Sequence, residues 1–116
     1  MSNPGAAGAL CSSVLDLLKW QRAMNERRLV NQATYTRMTT PAVLNNDSAV
    51  TYGYGLGIRE ADGHHLIAHG GGINGFVTML AYYPDDDLTV VVLSNTPGGH
   101  PGTMAQKIAK WAFETN

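Results

Sequence analysis

The 116-residue chain has one cysteine, little net charge and no long apolar run, so it lacks the features that would indicate an oxidising compartment, a nucleic-acid partner or a membrane. Its only cysteine, Cys11, excludes an internal disulfide, and we expect this residue to be small and buried. A formal net charge of −1 gives no electrostatic footprint for nucleic acid or an anionic membrane surface. No apolar run approaches the ~18 residues of a membrane span. No basic stretch followed by an apolar one opens the chain, so no signal peptide is visible and the compartment stays open.

The length and composition predict one globular domain over residues 1–116. Three helices are indicated. Ser13-Val14-Leu15-Asp16 is typical of a helix start, because the serine hydroxyl can accept a backbone amide and Asp16 lies in the positive first turn. Asn31 can cap a second, short helix through about Met38. The last helix should run from about Thr103, with apolar residues at helical spacing: Met104, Ile108, Trp111 and Ala112.

Four strands are predicted between these helices, with hairpin turns at Ala61-Asp62-Gly63 and at Pro84–Asp87. The last of them is almost continuously apolar, which favours a strand covered on both faces. We therefore predict an α+β fold, an antiparallel sheet of about three to four strands packed with N-terminal and C-terminal helices. The predicted strands are Tyr52–Arg59, His64–His69, Phe76–Tyr83 and Leu88–Leu93.

The stretch from His69 to Phe76 contains four glycines, and we interpret it as a loop whose bare backbone a substrate can approach. It is not typical of a metal site, because His65 and His69 would lie ~13 Å apart on one strand face. Gly70-x-Gly72-x-x-Gly75 matches a dinucleotide-binding fingerprint, but that motif must lead into a helix, and here a strand follows. The tetrad beginning at His69 also equals the oxyanion-hole motif of lipases, which need a Gly-x-Ser-x-Gly elbow that this chain lacks.

Residues His69-Gly70-Gly71, with the apolar strand that follows, resemble the third active-site motif of the serine β-lactamase and penicillin-binding-protein family. Relatives with esterase or peptidase activity carry His-x-Gly where β-lactamases carry Lys-Thr-Gly. Tyr54-Gly55-Leu56-Gly57 is similar to the family's Tyr-Gly-Leu-Gly strand, and the capped segment at Ser13 resembles the helix upstream. The resemblance extends from about Gly5 to Phe113.

The resemblance implies specific roles for the glycine-rich stretch. His69 and Gly72 would be catalytic, with the Gly72 N–H contributing to the oxyanion hole, and Gly70 and Gly71 would bind substrate. Gly75-Phe76 would turn the chain into the next strand, with the aromatic ring packed underneath. The parent reaction would be acyl transfer through a serine ester, on a β-lactam, a D-amino-acid peptide or a carboxylic ester. No cofactor or metal is implied.

The family's nucleophile motif, Ser-x-x-Lys, is absent, since none of the serines at 2, 12, 13, 48 and 94 has a lysine three positions later. No tyrosine opens a Tyr-x-Asn or Tyr-x-Ser motif either. We therefore expect a piece of a serine hydrolase that does not react by itself, because a hydroxyl without an adjacent base is a poor nucleophile. The alternative is a non-catalytic binding or assembly module that keeps the fold.

The edge of the strand over residues 88–93 carries no charge or proline, so we also expect a homo-oligomer formed through it.

Overall fold

A computed structural model describes residues 5–115 and confirms the α+β arrangement, with three helices and a four-stranded antiparallel sheet in the order β1-β2-β3-β4. Two helices precede the sheet and one follows it. The elements are α1 (Val14–Asn25), α2 (Gln32–Met38), β1 (Gly57–Ala61), β2 (His64–Ile73), β3 (Phe76–Tyr83), β4 (Leu88–Ser94) and α3 (Pro101–Thr115).

Both predicted helix caps are present. The Ser13 hydroxyl accepts the Asp16 N–H at 3.2 Å, and the Asn31 side-chain oxygen accepts the Thr34 N–H at 2.9 Å. These bonds satisfy amides that have no partner inside the helix. The guanidinium of Arg27, a residue with φ 59°, lies 3.4 Å from the ring centre of Tyr35 and so ties the connection after α1 to α2.

The hairpins follow turn chemistry that the sequence displays. Asp62 and Gly63 both have positive φ, 53° and 81°, as a two-residue type I′ turn requires. Gly75 has φ 88° in the second hairpin, where Asn74 and Gly75 alone separate β2 from β3. Asp87, with φ 47°, ends the turn between β3 and β4. Short turns of this kind fix the register of all three strand pairs.

The core lies between α3 and one face of the sheet. Alternate residues of β2, β3 and β4 point to this face, and two alanines of α3 let the helix approach closely. The first two helices cover the opposite face, where Tyr82 is buried near Tyr35 and where α1 contacts β4. The core residues are Leu66, Ala68, Ala81, Tyr83, Val90, Val92, Ala105 and Ala109.

The predicted strand Tyr52–Arg59 is wrong in its first half. The strand begins only at Gly57, because Gly55 has φ 74° and the Gly53 N–H donates to the Leu56 carbonyl at 2.8 Å, which closes a turn. Tyr54–Gly57, expected as part of a strand, is therefore mostly turn. The expected burial of Cys11 is also wrong, because this residue is exposed in the segment before α1.

The apolar stripe of α3 faces outward rather than into the core. Met104, Ile108 and Trp111 are exposed, whereas Ala105 and Ala109 are buried. Burial of β4 is uneven: Val90 and Val92 are buried, Val91 between them is half-buried, and Leu93 is exposed. No helix within residues 5–115 is both long enough and apolar enough to span a bilayer.

Candidate active site

The glycine-rich stretch is part of strand β2 and not the loop that its composition suggested. Gly70 pairs with Met79, Gly71 with Thr78 and Gly72 with Val77, so the strand continues to Ile73. Glycine can adopt extended backbone, at a cost in conformational entropy, and the turn is confined to Asn74 and Gly75. The bare backbone is therefore held in place by β3.

The register of this hairpin sets the direction of each amide. Ile73 and Phe76 flank a two-residue turn and must form a hydrogen-bonded pair. Because such pairs alternate along antiparallel strands, Gly72 and Gly70 occupy positions that do not bond to β3. Their N–H and C=O groups point to the other edge of β2.

That edge of β2 is open beside the two glycines. Strand β1 pairs with β2 only from His64 to Ala68, where Gly57 is the last partner. Among residues 5–115 no strand runs alongside β2 beyond this point. The amides of Gly70 and Gly72 are thus donors, about 7 Å apart along the strand, that face a free edge.

The three glycines differ in how much space surrounds them. A Cβ on Gly71 would overlap the hydroxyl oxygen of Thr78, and a Cβ on Gly70 would touch the Met79 side chain at 3.5 Å. A Cβ on Gly72 would meet nothing within 4 Å. A side chain at Gly71 would therefore require Thr78 to shift, whereas Gly72 leaves an open approach to its backbone.

His69 lies at the start of this open edge and is held by a residue that sequence reasoning did not place in the site. Its Nε2 lies 2.9 Å from the hydroxyl of Tyr52, and the two rings meet edge to face with centroids 6.1 Å apart. The two residues are 17 positions apart, and no spacing rule connects them. From the sequence, Tyr52 was identified only as the first residue of a predicted strand.

The tip of the hairpin forms an apolar rim beside the open edge. Ile73 is 36% exposed and Phe76 is 56% exposed. The expectation that the Phe76 ring packs underneath the turn is wrong. Phe76 follows the turn directly, at the outer end of the sheet, and points to the face opposite α3 because it alternates with the core-facing residues of β3.

The other two histidines of β2, His64 and His65, make contacts that connect elements of the fold. His64 Nδ1 lies 2.8 Å from Asp86 Oδ2, and its ring stacks on Phe113 at 3.8 Å. His65 Nδ1 lies 3.2 Å from Asp85 Oδ2. These contacts tie the first hairpin to the turn between β3 and β4 and, through Phe113, to α3. Residues 5–115 contain no group of three or more histidine, cysteine, aspartate or glutamate side chains arranged to hold a metal ion.

The edge of β2 thus presents two backbone donors and one imidazole on a rigid strand. Such an arrangement can stabilise negative charge that develops on a carbonyl oxygen and can exchange a proton with a bound group. No serine of the chain has a lysine three positions later.

Comparison with known proteins identifies the family. The Beta-lactamase family model matches residues 1–113, and the chain belongs to this family. The D-aminopeptidase of Brucella anthropi is 30% identical over 95 residues, which are 82% of this chain and 18% of that enzyme. The chain thus spans less than a fifth of the length of this relative.

Solved structures show the same fold. The octameric penicillin-binding protein homologue from Pyrococcus abyssi superposes with a TM-score of 0.77 at 28% identity, covering 89% of this chain and 24% of the other. A penicillin-binding protein from Bacillus halodurans gives a TM-score of 0.65, also at 28% identity, covering 85% of this chain and 30% of its own.

Proposed function

We propose that this chain forms one wall of the active site of a β-lactamase-like serine hydrolase. In this proposal His69 and Gly72 are catalytic, and Gly70 and Gly71 bind substrate. The observation that carries the proposal is the register of β2 and β3, which directs the amides of Gly70 and Gly72 to an open edge beside His69. Fixed backbone donors at a rigid edge are what an oxyanion hole requires.

The reaction we propose is hydrolysis through an acyl-serine ester. The serine passes its proton to a base as its oxygen adds to the substrate carbonyl carbon, and the carbonyl oxygen becomes an oxyanion that accepts the Gly72 N–H. The bond to the leaving amine or alcohol then breaks as the leaving group takes up that proton, and water hydrolyses the ester, which releases the acid and restores the serine hydroxyl. Membership of the family and the D-aminopeptidase relative support a D-amino-acid peptide or amide as substrate, with esters and β-lactams as further candidates.

We propose that the nucleophile and its bases come from a segment outside these 116 residues, because the chain contains neither Ser-x-x-Lys nor Tyr-x-Asn or Tyr-x-Ser. The chain alone should not hydrolyse D-alanine p-nitroanilide, and intact mass should show no acylation by penicillin or a fluorophosphonate. A chimera in which this chain replaces the matching segment of the Brucella anthropi enzyme should hydrolyse the anilide. Acylation of a serine in the isolated chain would overturn this division of roles.

The oxyanion role of Gly72 is tested in the same chimera by two substitutions at one position. Gly72→Pro removes the N–H at a position that does not bond to β3, and we expect kcat to fall about 10²–10³-fold. Gly72→Ala keeps the N–H and adds a methyl group in open space, so most of the turnover should remain. Equal loss in both variants would assign the effect to crowding and not to the missing donor.

We also propose that copies of this chain associate through the edge of β4, residues 88–93. The strand has no charge, and the register points the amides of Thr89, Val91 and Leu93 outward, away from β3. The exposed stripe of α3, in which Trp111 is 67% exposed, adds apolar surface that association could cover. The octameric state of the Pyrococcus abyssi homologue supports self-association in this family.

Sedimentation at micromolar concentration tests this assembly. We expect a mass above that of the monomer, and Val91→Pro, which removes one outward amide, should shift the chain to monomer. Phe76→Lys removes an exposed ring beside the turn between β2 and β3, outside the row of outward β4 amides, and should leave the mass unchanged. A monomeric parent chain, or an assembly insensitive to Val91→Pro, would reject the β4 edge as the interface. In that event a non-catalytic assembly module would lose its main support.

A further inference from the structure

The contact between Tyr52 and His69 is the feature of the site that neither the sequence patterns nor the family comparison assigns. The hydroxyl oxygen lies 2.9 Å from Nε2, within hydrogen-bonding distance, and the ring planes are inclined by 62°. Both side chains are exposed, Tyr52 by 43%, so the pair lies on the surface beside the open edge of β2. His69 directly precedes Gly70, whose amide faces that edge.

The backbone holds Tyr52 in this position from several directions. Its carbonyl accepts the Ala42 N–H at 2.9 Å, and it forms an isolated bridge with Gly57, the residue at which β1 begins. The preceding carbonyl, of Thr51, accepts the Ile58 N–H at 2.9 Å. A tyrosine fixed at its backbone loses little further freedom when its ring contacts a histidine, because only two side-chain torsions remain to be set.

The chemistry of the two groups decides which ring nitrogen of His69 carries the proton. A neutral imidazole has one nitrogen that donates and one that accepts. A phenol is a stronger donor than acceptor, so its O–H is best satisfied by an unprotonated Nε2, which leaves the proton on Nδ1. This is the tautomer that a free histidine side chain populates less. While the contact is kept, Nδ1 is the only ring nitrogen that can be turned toward a substrate.

We propose that Tyr52 is a positioning residue for His69, which fixes the orientation of the imidazole and holds it in the Nδ1–H form. The catalytic consequence rests on the proposed function: the group that His69 offers to the substrate is an N–H donor and not a lone pair. An N–H donor placed beside the Gly70 and Gly72 amides adds to a row of donors, which suits a carboxylate or carbonyl oxygen of the substrate.

The tautomer can be measured directly in the 116-residue chain. Long-range ¹H–¹⁵N correlation spectra at a pH where the imidazoles are neutral distinguish protonated from unprotonated ring nitrogens, and His69→Gln assigns the signals. We expect Nδ1 of His69 to carry the proton in the parent chain. In Tyr52→Phe the Nε2–H form should become the major one, while the signals of His64, His65 and His100 stay unchanged.

Tyr54→Phe is the matched control, because it removes a phenol only two residues away that makes no hydrogen bond to His69. It should leave the His69 tautomer as in the parent chain. A parent chain in which Nε2 of His69 carries the proton would overturn the proposal without any substitution. So would a Tyr52→Phe variant with an unchanged tautomer.

A kinetic measurement in the Brucella anthropi chimera separates this inference from the proposed function. Tyr52→Phe should lower kcat/KM several-fold and Tyr54→Phe should not, with thermal unfolding midpoints alike. If the tautomer responds to Tyr52→Phe but the chimera never hydrolyses its substrate, the proposed function fails and the structural pairing stands. If the chimera is active and the tautomer does not respond, Tyr52 has no positioning role.

Discussion

The two halves of strand β2 have opposite surroundings, although they share one backbone. The inner half, His64–Ala68, pairs with β1 on one edge and places Leu66 and Ala68 in the core. The outer half, His69–Ile73, pairs only with β3 and is exposed throughout. Burial in the inner half anchors the strand, and that anchorage lets the outer half present backbone groups without moving.

The comparison explains how a chain can keep an exposed glycine-rich segment in order. Glycine loses the most conformational freedom on folding, so a run of three is costly where nothing else holds it. Here β3 lies in register beside all three glycines and hydrogen-bonds to Gly71, which offsets this cost, and β3 itself is buried at Ala81, Tyr82 and Tyr83. An edge held in this way differs from a flexible loop, because the directions of its backbone N–H donors are fixed before a ligand binds.

The largest expected difference between the halves is in stability. Leu66 is 2% exposed, and Leu66→Ala should lower the free energy of unfolding by about 3 kcal/mol, because it leaves a cavity under α3. Ile73→Ala, at a position that is 36% exposed, should cost less than about 0.5 kcal/mol. Urea unfolding followed by circular dichroism measures both. Similar costs at the two positions would break the comparison.

Alkaline pH should weaken the side of the sheet that supports the inner half. Tyr82 pairs with Ile67, and burial, with the nearby Asp87 carboxylate, raises the pKa of its hydroxyl to about 12. Since an unfolded tyrosine titrates near 10, the folded state holds its proton longer, and this contribution to stability is lost as pH rises from about 10 to about 12. The expected loss is about 2 kcal/mol.

The control for this pH effect is Tyr82→Phe, which removes the titrating group and should make the decline in unfolding free energy clearly shallower. Some slope should remain, because burial also raises the pKa of Tyr83. Urea unfolding at a series of alkaline pH values gives the slopes. Identical slopes in the parent and in Tyr82→Phe would contradict the assignment.

The smallest expected effect is a difference in stability between substitutions at two glycines of the outer half, Gly71 and Gly72. Gly71→Ala places a methyl group against the Thr78 hydroxyl. It should lower the free energy of unfolding by about 1 kcal/mol, because the β-branched Thr78 side chain has few alternative rotamers. Gly72→Ala meets no neighbour and should be nearly neutral. Thermal unfolding of the two variants compares them directly. A larger cost at Gly72 would mean that the open edge is more crowded than its geometry indicates.

Local patterns in the sequence predicted the elements whose causes are local. Ser13 and Asn31 cap helices because a short polar side chain reaches amides three residues away. Asp62-Gly63 turns the first hairpin because both positions adopt positive φ. The family resemblance was likewise sound, because it rested on the order of several short motifs and not on any single one.

Composition alone predicts the wrong structure where a neighbouring strand or helix decides it. Three successive glycines look like a loop until β3 supplies partners for all of them. Met104, Ile108 and Trp111 have helical spacing and nevertheless face outward, because the small side chains of Ala105 and Ala109 allow a closer approach of α3 to the sheet. Periodicity marks an apolar face, but only packing decides which face meets the core.

The sequence by itself determined the helix caps, the hairpin turns and the family, because each depends on residues close together along the chain. Only the tertiary structure decided which glycine amides face an open edge, since that depends on where β1 stops pairing with β2. It alone brought the Tyr52 hydroxyl to His69, across 17 positions of the chain. Contacts of this kind depend on strand register and side-chain direction, which no short pattern of residues encodes.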